Sequence, residues 1–225
     1  MLNLIKKEFK VSKSWIFLLI LSIVFAFAIY MSTRNIETNG IKFIENFAFS
    51  YSIILLVYVT ITDSSYQDVK SKSEVILNSF PINRGNIVKG KYIIMILYII
   101  MYSISMGLVG KILMPIIHGR ESQLEIFWSL LIVTTINLIF FSVYYPLYFK
   151  SEDGLINFSQ TFRLIIIILP SILGRYMGNI PMDKVLYFME KMGDKKIGVI
   201  LLILAFVFYY ISLQISKRIY IRKEF

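Results

Sequence analysis

The chain has no cysteine, a single histidine and five prolines in 225 residues, and only 17% of it is charged. Without cysteine there is no disulfide framework and no thiolate ligand, and His118 alone cannot complete a zinc set. No G-x-S-x-G or H-E-x-x-H occurs, and no pair of carboxylates falls inside an apolar stretch, so no catalytic constellation of its own is legible. The paired Glu152 and Asp153 sit in a polar turn beside Lys150, which they neutralise. Soluble domains carry about 25% charged and about 45–50% apolar residues. Here apolar residues reach 57% and aromatic residues 16%. Such a chain cannot hide its apolar side chains inside one water-soluble globule, and it is too apolar for disorder.

What is present is a series of apolar runs, at about 15–31, 43–62, 92–114, 126–149, 162–176 and 197–215. A helix of about 20 residues crosses the hydrocarbon core, so the expectation is an all-α integral membrane protein: a six-helix transmembrane bundle in one domain, residues 1–225. The fifth run is short and interrupted by Pro170, Gly174 and Arg175, which suits a broken or re-entrant helix. Residues 1–14 are too short and too charged to span. As a helix they put Leu2, Ile5 and Phe9 on one side with Lys6, Lys10 and Lys13 on the flank, the pattern of an interfacial amphipathic helix. The following run is long for a signal peptide and no small-x-small site follows it, so it reads as an uncleaved first span. In 178–196, Pro181 can open a helix whose Met182, Val185, Leu186, Met189 and Met192 share one face, an amphipathic helix on or in the outer leaflet before the last span.

The net charge of +10 is placed between the apolar runs rather than in a nucleic-acid recognition motif, so nucleic acid is not an expected partner and membrane lipid is. With six spans, most Lys and Arg fall on the side that holds both termini, among them Lys6, Lys7, Lys10, Lys13, Lys70, Lys72, Arg84, Lys89, Lys91, Lys150, Lys217, Arg218, Arg222 and Lys223. The positive-inside rule then puts both termini in the cytoplasm and makes 63–91 a long cytoplasmic loop. Within it Val69, Ile76, Leu77 and Phe80 would share one face of a helix that Pro81 stops.

Gly85–Tyr92 reads G-x-x-x-x-G-K-Y, a decoy for a phosphate-binding loop: Tyr92 stands where Ser or Thr must hold Mg²⁺, and no strand precedes it. Nucleotide binding by this chain is therefore not expected. Glu45, Lys111, Arg163 and Arg175 lie near span ends, where ionisable side chains reach the interface. Thr134, Thr135 and Asn137 lie deep in the fourth run, either bonding to a neighbouring helix or lining an intramembrane polar path.

Residues 74–92 are the most informative. They resemble the ABC type-2 permease family, whose members carry E-x-x-L-x-S-L-P-[IV]-x-R-x-x-I-V-x-x-K-[YL] between the second and third spans. Glu74, Leu77, Ser79, Pro81, Ile82, Arg84, Ile87, Val88, Lys91 and Tyr92 match, and Phe80 replaces the usual Leu. The order of hydropathy along the chain agrees with that family. Within it, the small size is similar to bacterial permeases that export cytotoxic or antimicrobial amphipathic peptides.

The resemblance implies a non-enzymatic permease in the bacterial cell membrane, pairing with a second permease copy or a paralogue and with two cytosolic ATPase subunits that bind ATP and Mg. No cofactor is expected in this chain itself. It also implies that the helix before Pro81 is a coupling helix, with Glu74, Leu77, Ser79, Phe80, Pro81, Ile82 and Arg84 forming the ATPase contact. The expected cargo is a hydrophobic or amphipathic peptide. A membrane immunity protein that sequesters a peptide without ATP, and an efflux permease for lipid or drug, are the alternatives. An intramembrane enzyme acting on lipid would need ionisable residues converging at mid-depth, and the sequence offers none.

Overall fold

The structure, a computed structural model, describes residues 7, 20, 23, 24, 27, 38–79, 83–119, 125–151 and 195–223. The helix expected at 1–14, the spans at 15–31 and 162–176, the helix expected in 178–196, and Phe80, Pro81 and Ile82 lie wholly or largely outside them. The elements are α1 (Thr38–Lys70), α2 (Ser73–Ser79), α3 (Arg84–His118), α4 (Ile126–Lys150) and α5 (Lys195–Arg222), and no strand occurs among the described residues. Among the described residues, four helices are long and apolar enough to cross a membrane: Glu45–Lys70, Arg84–Ile117, Ile126–Lys150 and Gly198–Arg222. The chain is a multi-pass membrane protein.

Local chemistry sets the ends of α3. Asn83 is its N-cap, with the side chain accepting from the Gly85 N–H at 2.8 Å, and Gly119 closes it in the left-handed region at φ 63°, donating to the Pro115 carbonyl at 3.0 Å. Only glycine takes that φ without a Cβ penalty. At 35 residues, α3 is about 50 Å long, well beyond a hydrocarbon core of about 30 Å. It starts at Arg84, two turns before the apolar run. Likewise α1 runs on past Thr62 through Asp63, Ser64, Ser65 and Asp68 to Lys70. The segment read as a loop is thus largely helix extending from two spans, because Ser64, Ser65 and Asp68 are buried by packing that hydropathy cannot register.

The core is strongly aromatic. Phe49, Ile53 and Val57 of α1 pack with Tyr92, Met95, Tyr98 and Tyr102 of α3 and with Phe141, Tyr144 and Tyr145 of α4. Tyr92 lies with its ring centroid 4.5 Å from that of Tyr145 and 4.8 Å from that of Tyr209. The outer surface is apolar in turn: Ile93, Ile96, Ile100, Ile104, Leu108, Ile112 and Ile116 form an exposed line along α3 at three- and four-residue spacing. Such a face is compatible with lipid and not with water.

The most extensive pairing joins α4 and α5, and the two helices are parallel. Near their starts, Gly198 lies so close to α4 that a Cβ there would come within 2.7 Å of the Trp128 ring and 3.1 Å of Leu131. Midway, the Ser212 hydroxyl donates to the Ser142 carbonyl at 2.7 Å. Near their ends, Phe149 and Tyr220 meet edge to face at 5.1 Å. The middle contact has a covalent cause. Pro146 has no N–H to give to the carbonyl four residues earlier, which is that of Ser142, and Ser212 supplies the missing donor.

At the start of α4, Asn46 of α1 accepts from the Glu125 N–H at 3.0 Å and from the Ser129 hydroxyl at 2.8 Å, a cap lent by a neighbouring helix. The starts of α1, α4 and α5 therefore share one end of the bundle. The opposite end holds α2, the start of α3 and the ends of α1, α4 and α5. Lys7 is also at this opposite end, against Asp68. The chain consequently changes ends between Lys7 and α1, and again between α4 and α5.

Candidate functional site

α2 is a seven-residue helix set between two long ones. The chain leaves α1 through Ser71 and Lys72, whose N–H groups donate to the Gln67 and Val69 carbonyls at 2.9 and 3.1 Å. Lys72 takes φ 49°, the left-handed conformation that ends one helix and re-aims the next. This break resets the helical phase, so one expectation holds only in part: Leu77 faces the core as Val69 does, and Ile76, 55% exposed, does not.

An ionic knot lies where α2 begins. Asp68 Oδ1 accepts from Lys7 Nζ at 2.6 Å and from the Ser73 hydroxyl at 2.7 Å, while Oδ2 accepts from Lys91 Nζ. The side chains of Asp68 and Lys91 are only 1% and 7% exposed, and that of Lys7 is 25% exposed. Lys91 Nζ also stands 5.4 Å from the ring centroid of Tyr148. A carboxylate so deeply buried is tolerated only when its oxygens are paired and hydrogen-bonded, as they are here. One residue thus joins the amino-terminal segment, α1, α2 and α3.

The other end of α2 is tied to α5. Asn78 donates to the Tyr220 hydroxyl at 2.9 Å, and Arg84, the first residue of α3, donates to the Ile221 and Lys223 carbonyls, each at 3.1 Å. The last carbonyls of a helix lack partners within it, and a guanidinium meets that need while complementing the negative end of the dipole.

Behind this elbow, the helices are laced by hydroxyl groups. Tyr92 contacts Ser212 at 2.7 Å and Ser216 at 2.8 Å. With Ser212 already donating to Ser142, Tyr92 donates to Ser212 and accepts from Ser216. Tyr145 and Tyr209 donate to the Lys91 and Tyr92 carbonyls at 2.9 and 2.8 Å.

Of the residues expected to form the contact, Leu77 is half-buried, Arg84 grips α5, and Ser79 is exposed with its hydroxyl on the Ile76 carbonyl at 2.7 Å. Glu74 lies within α2. Sequence reading missed Asp68, Ser73, Asn78, Tyr148 and Tyr220. Lys91 stood in the matched motif, but its acidic partner is 23 positions away around the elbow, beyond the reach of helical periodicity. Thr134, Thr135 and Asn137 turn back on their own helix, donating to the carbonyls of Leu130, Leu131 and Val133 at 2.7, 2.8 and 2.9 Å. Glu45 is buried near the start of α1, and Lys111 is exposed on α3. Residues 85–92 are helical throughout, and the Gly85 N–H is capped by the Asn83 side chain. Among the described residues, no group of three or more His, Cys, Asp or Glu could hold a metal ion.

No curated protein and no solved structure matches the chain. A family model described as ABC-2 family transporter protein matches residues 3–221, nearly the whole length. Read together with a bundle of long apolar helices and a short helix between two of them, this match identifies the chain as a member of the ABC-2 family of transporter membrane proteins.

Proposed function

We propose that the chain is the permease subunit of an ABC exporter in the bacterial plasma membrane, with both termini cytoplasmic and α2 as the coupling helix. Family membership supports a transport subunit, since members of this family generally work with a cytosolic ATPase, and two ATPase copies would bind the ATP and Mg that power the cycle. The observation that carries the assignment is α2 itself: a seven-residue helix that presents Ile76 outward while its two ends are tied to the long helices. A surface of that kind can be pushed as a rigid body, which is how nucleotide-driven closure is transmitted between subunits.

The contact would comprise Glu74, Ile76, Leu77, Ser79, Phe80, Pro81 and Ile82. Arg84 would act from the side by holding α5 in place. The two changes of end outside the four long helices are consistent with six crossings, the first and fifth falling near 15–31 and 162–176. A second permease copy or a paralogue would complete the translocation path, and the proposed cargo is a hydrophobic or amphipathic peptide.

Purification in mild detergent with the candidate ATPase co-expressed tests the reading. The ATPase should accompany the wild-type chain, and Phe80→Ala should lower transport more than ATP hydrolysis. Purification of the chain without any ATPase, together with protection of peptide-challenged cells that persists when ATP is depleted, would favour sequestration instead.

A further inference from the structure

We propose that Asp68 is a positioning residue that bolts the first turn of α2 to α3, so that displacement of α2 becomes displacement of the third helix. This rests on the reading of α2 as the surface an ATPase moves. A helix of two turns has little stability of its own, and α2 hangs from α1 by a turn of two residues, Ser71 and Lys72. A push on such an element would bend the turn unless a lateral tie carried the load. Asp68 supplies that tie. Its Oδ1 holds Ser73, the first residue of α2, at 2.7 Å, and its Oδ2 holds Lys91 of α3. Both charges of the Asp68–Lys91 pair are buried, where the attraction is least screened and a partner cannot be lost to water without strong penalty. Lys7 reaches the same carboxylate from the more open side and adds the amino-terminal segment to the joint. Asn78 holds the far side of α2 to α5, and Arg84 ties the start of α3 to the same helix, whereas the Asp68 tie leads from α2 directly to α3.

The chain has no cysteine, so spin labels can be placed without background. One pair, Ile76→Cys with Ile93→Cys, reports α2 against α3. A second, Ile93→Cys with Val143→Cys, reports α3 against α4, and all three positions are exposed. With Asp68→Asn, the first distance distribution should broaden and the second should not, while Asp68→Glu keeps the first narrow. Ser73→Ala severs only the bond to α2 and should broaden the first pair as well, which keeps the test decisive if Asp68→Asn fails to insert. In the complex with the ATPase, Asp68→Asn should raise the ATP hydrolysed per cargo moved by about ten-fold, the factor that corresponds to 1.4 kcal/mol of lost anchoring. An unchanged first distribution, equal broadening of both pairs, or a broadened first pair with an unaltered ATP-to-cargo ratio would overturn the proposal. If the wild-type chain neither binds nor stimulates an ATPase, the proposed function fails, and the label distances alone then decide whether Asp68 fixes α2 to α3.

Discussion

Pro146 shows how a single covalent feature reaches across the bundle. Its missing N–H leaves the Ser142 carbonyl to Ser212 of α5, and Tyr92 and Ser216 extend the chain of hydroxyl groups to α3. Replacing Ser212 by Ala should cost about 1 kcal/mol, the usual size of an interhelical hydrogen bond in a membrane bundle. Pro146→Ala restores a backbone donor to Ser142, so the double variant should lose less than the two single losses combined. Thermal unfolding midpoints of the four proteins in one detergent check this, and simple additivity would refute the link. Gly198→Ala acts through space rather than bonding. Its new methyl would lie 2.7 Å from the Trp128 ring, and forcing α4 and α5 apart should cost about 1–3 kcal/mol, read as a lowered midpoint. Trp128→Leu in the same chain should recover part of the loss. Polar residues inside apolar runs were visible in the sequence, Thr134, Thr135 and Asn137 among them. Their acceptors were not, because a hydroxyl that bonds back on its own helix and one that crosses to another look alike in one dimension.

At the scale of elements, hydropathy located the four long helices but misjudged two of their ends. It stopped the first at Thr62 and began the next at Tyr92, since Asp63, Ser64, Ser65, Gln67 and Asp68 resemble a solvated linker. They stay helical because the neighbouring helices bury several of them and Lys91 and Lys7 neutralise Asp68. The short helix within 63–91 was legible from its motif, whereas its facing was not, because the left-handed Lys72 changes the phase that periodicity assumes. Ile76 is the consequence that matters: an exposed apolar residue on a short helix whose Leu77 packs against the core. Ile76→Glu should leave insertion and thermal stability unchanged, since surface substitutions generally move stability by less than about 0.5 kcal/mol. It should weaken ATPase association by about ten-fold or more, as expected when an apolar anchor at an interface centre is replaced by a charge. Microscale titration of the detergent-solubilised permease with the ATPase measures this, and unchanged affinity would remove Ile76 from the contact.

For the whole molecule, composition alone reached the class: too little charge for a soluble domain, and apolar faces turned outward along α3 and α5. The number of crossings could be counted only as apolar runs, the fifth of them broken by proline, glycine and arginine. The arrangement of the ends adds an independent constraint. Lys7 and α2 occupy one end while α1 and α5 begin at the other, an arrangement compatible with the six crossings proposed above. The tyrosine core that unites the bundle was beyond sequence reading, because Tyr scores as weakly polar yet Tyr58, Tyr98, Tyr102, Tyr144 and Tyr145 are among the most buried side chains.

The central claim is that α2 is a cytosolic handle for a motor on another chain. It is tested most directly by a single cysteine at position 76 in the otherwise cysteine-free protein, bearing a photo-crosslinker in intact cells. The account predicts an adduct of permease and ATPase, with no labelling of that cysteine by a membrane-impermeant thiol reagent added from outside. Ready labelling from outside, with no ATPase adduct, would contradict it.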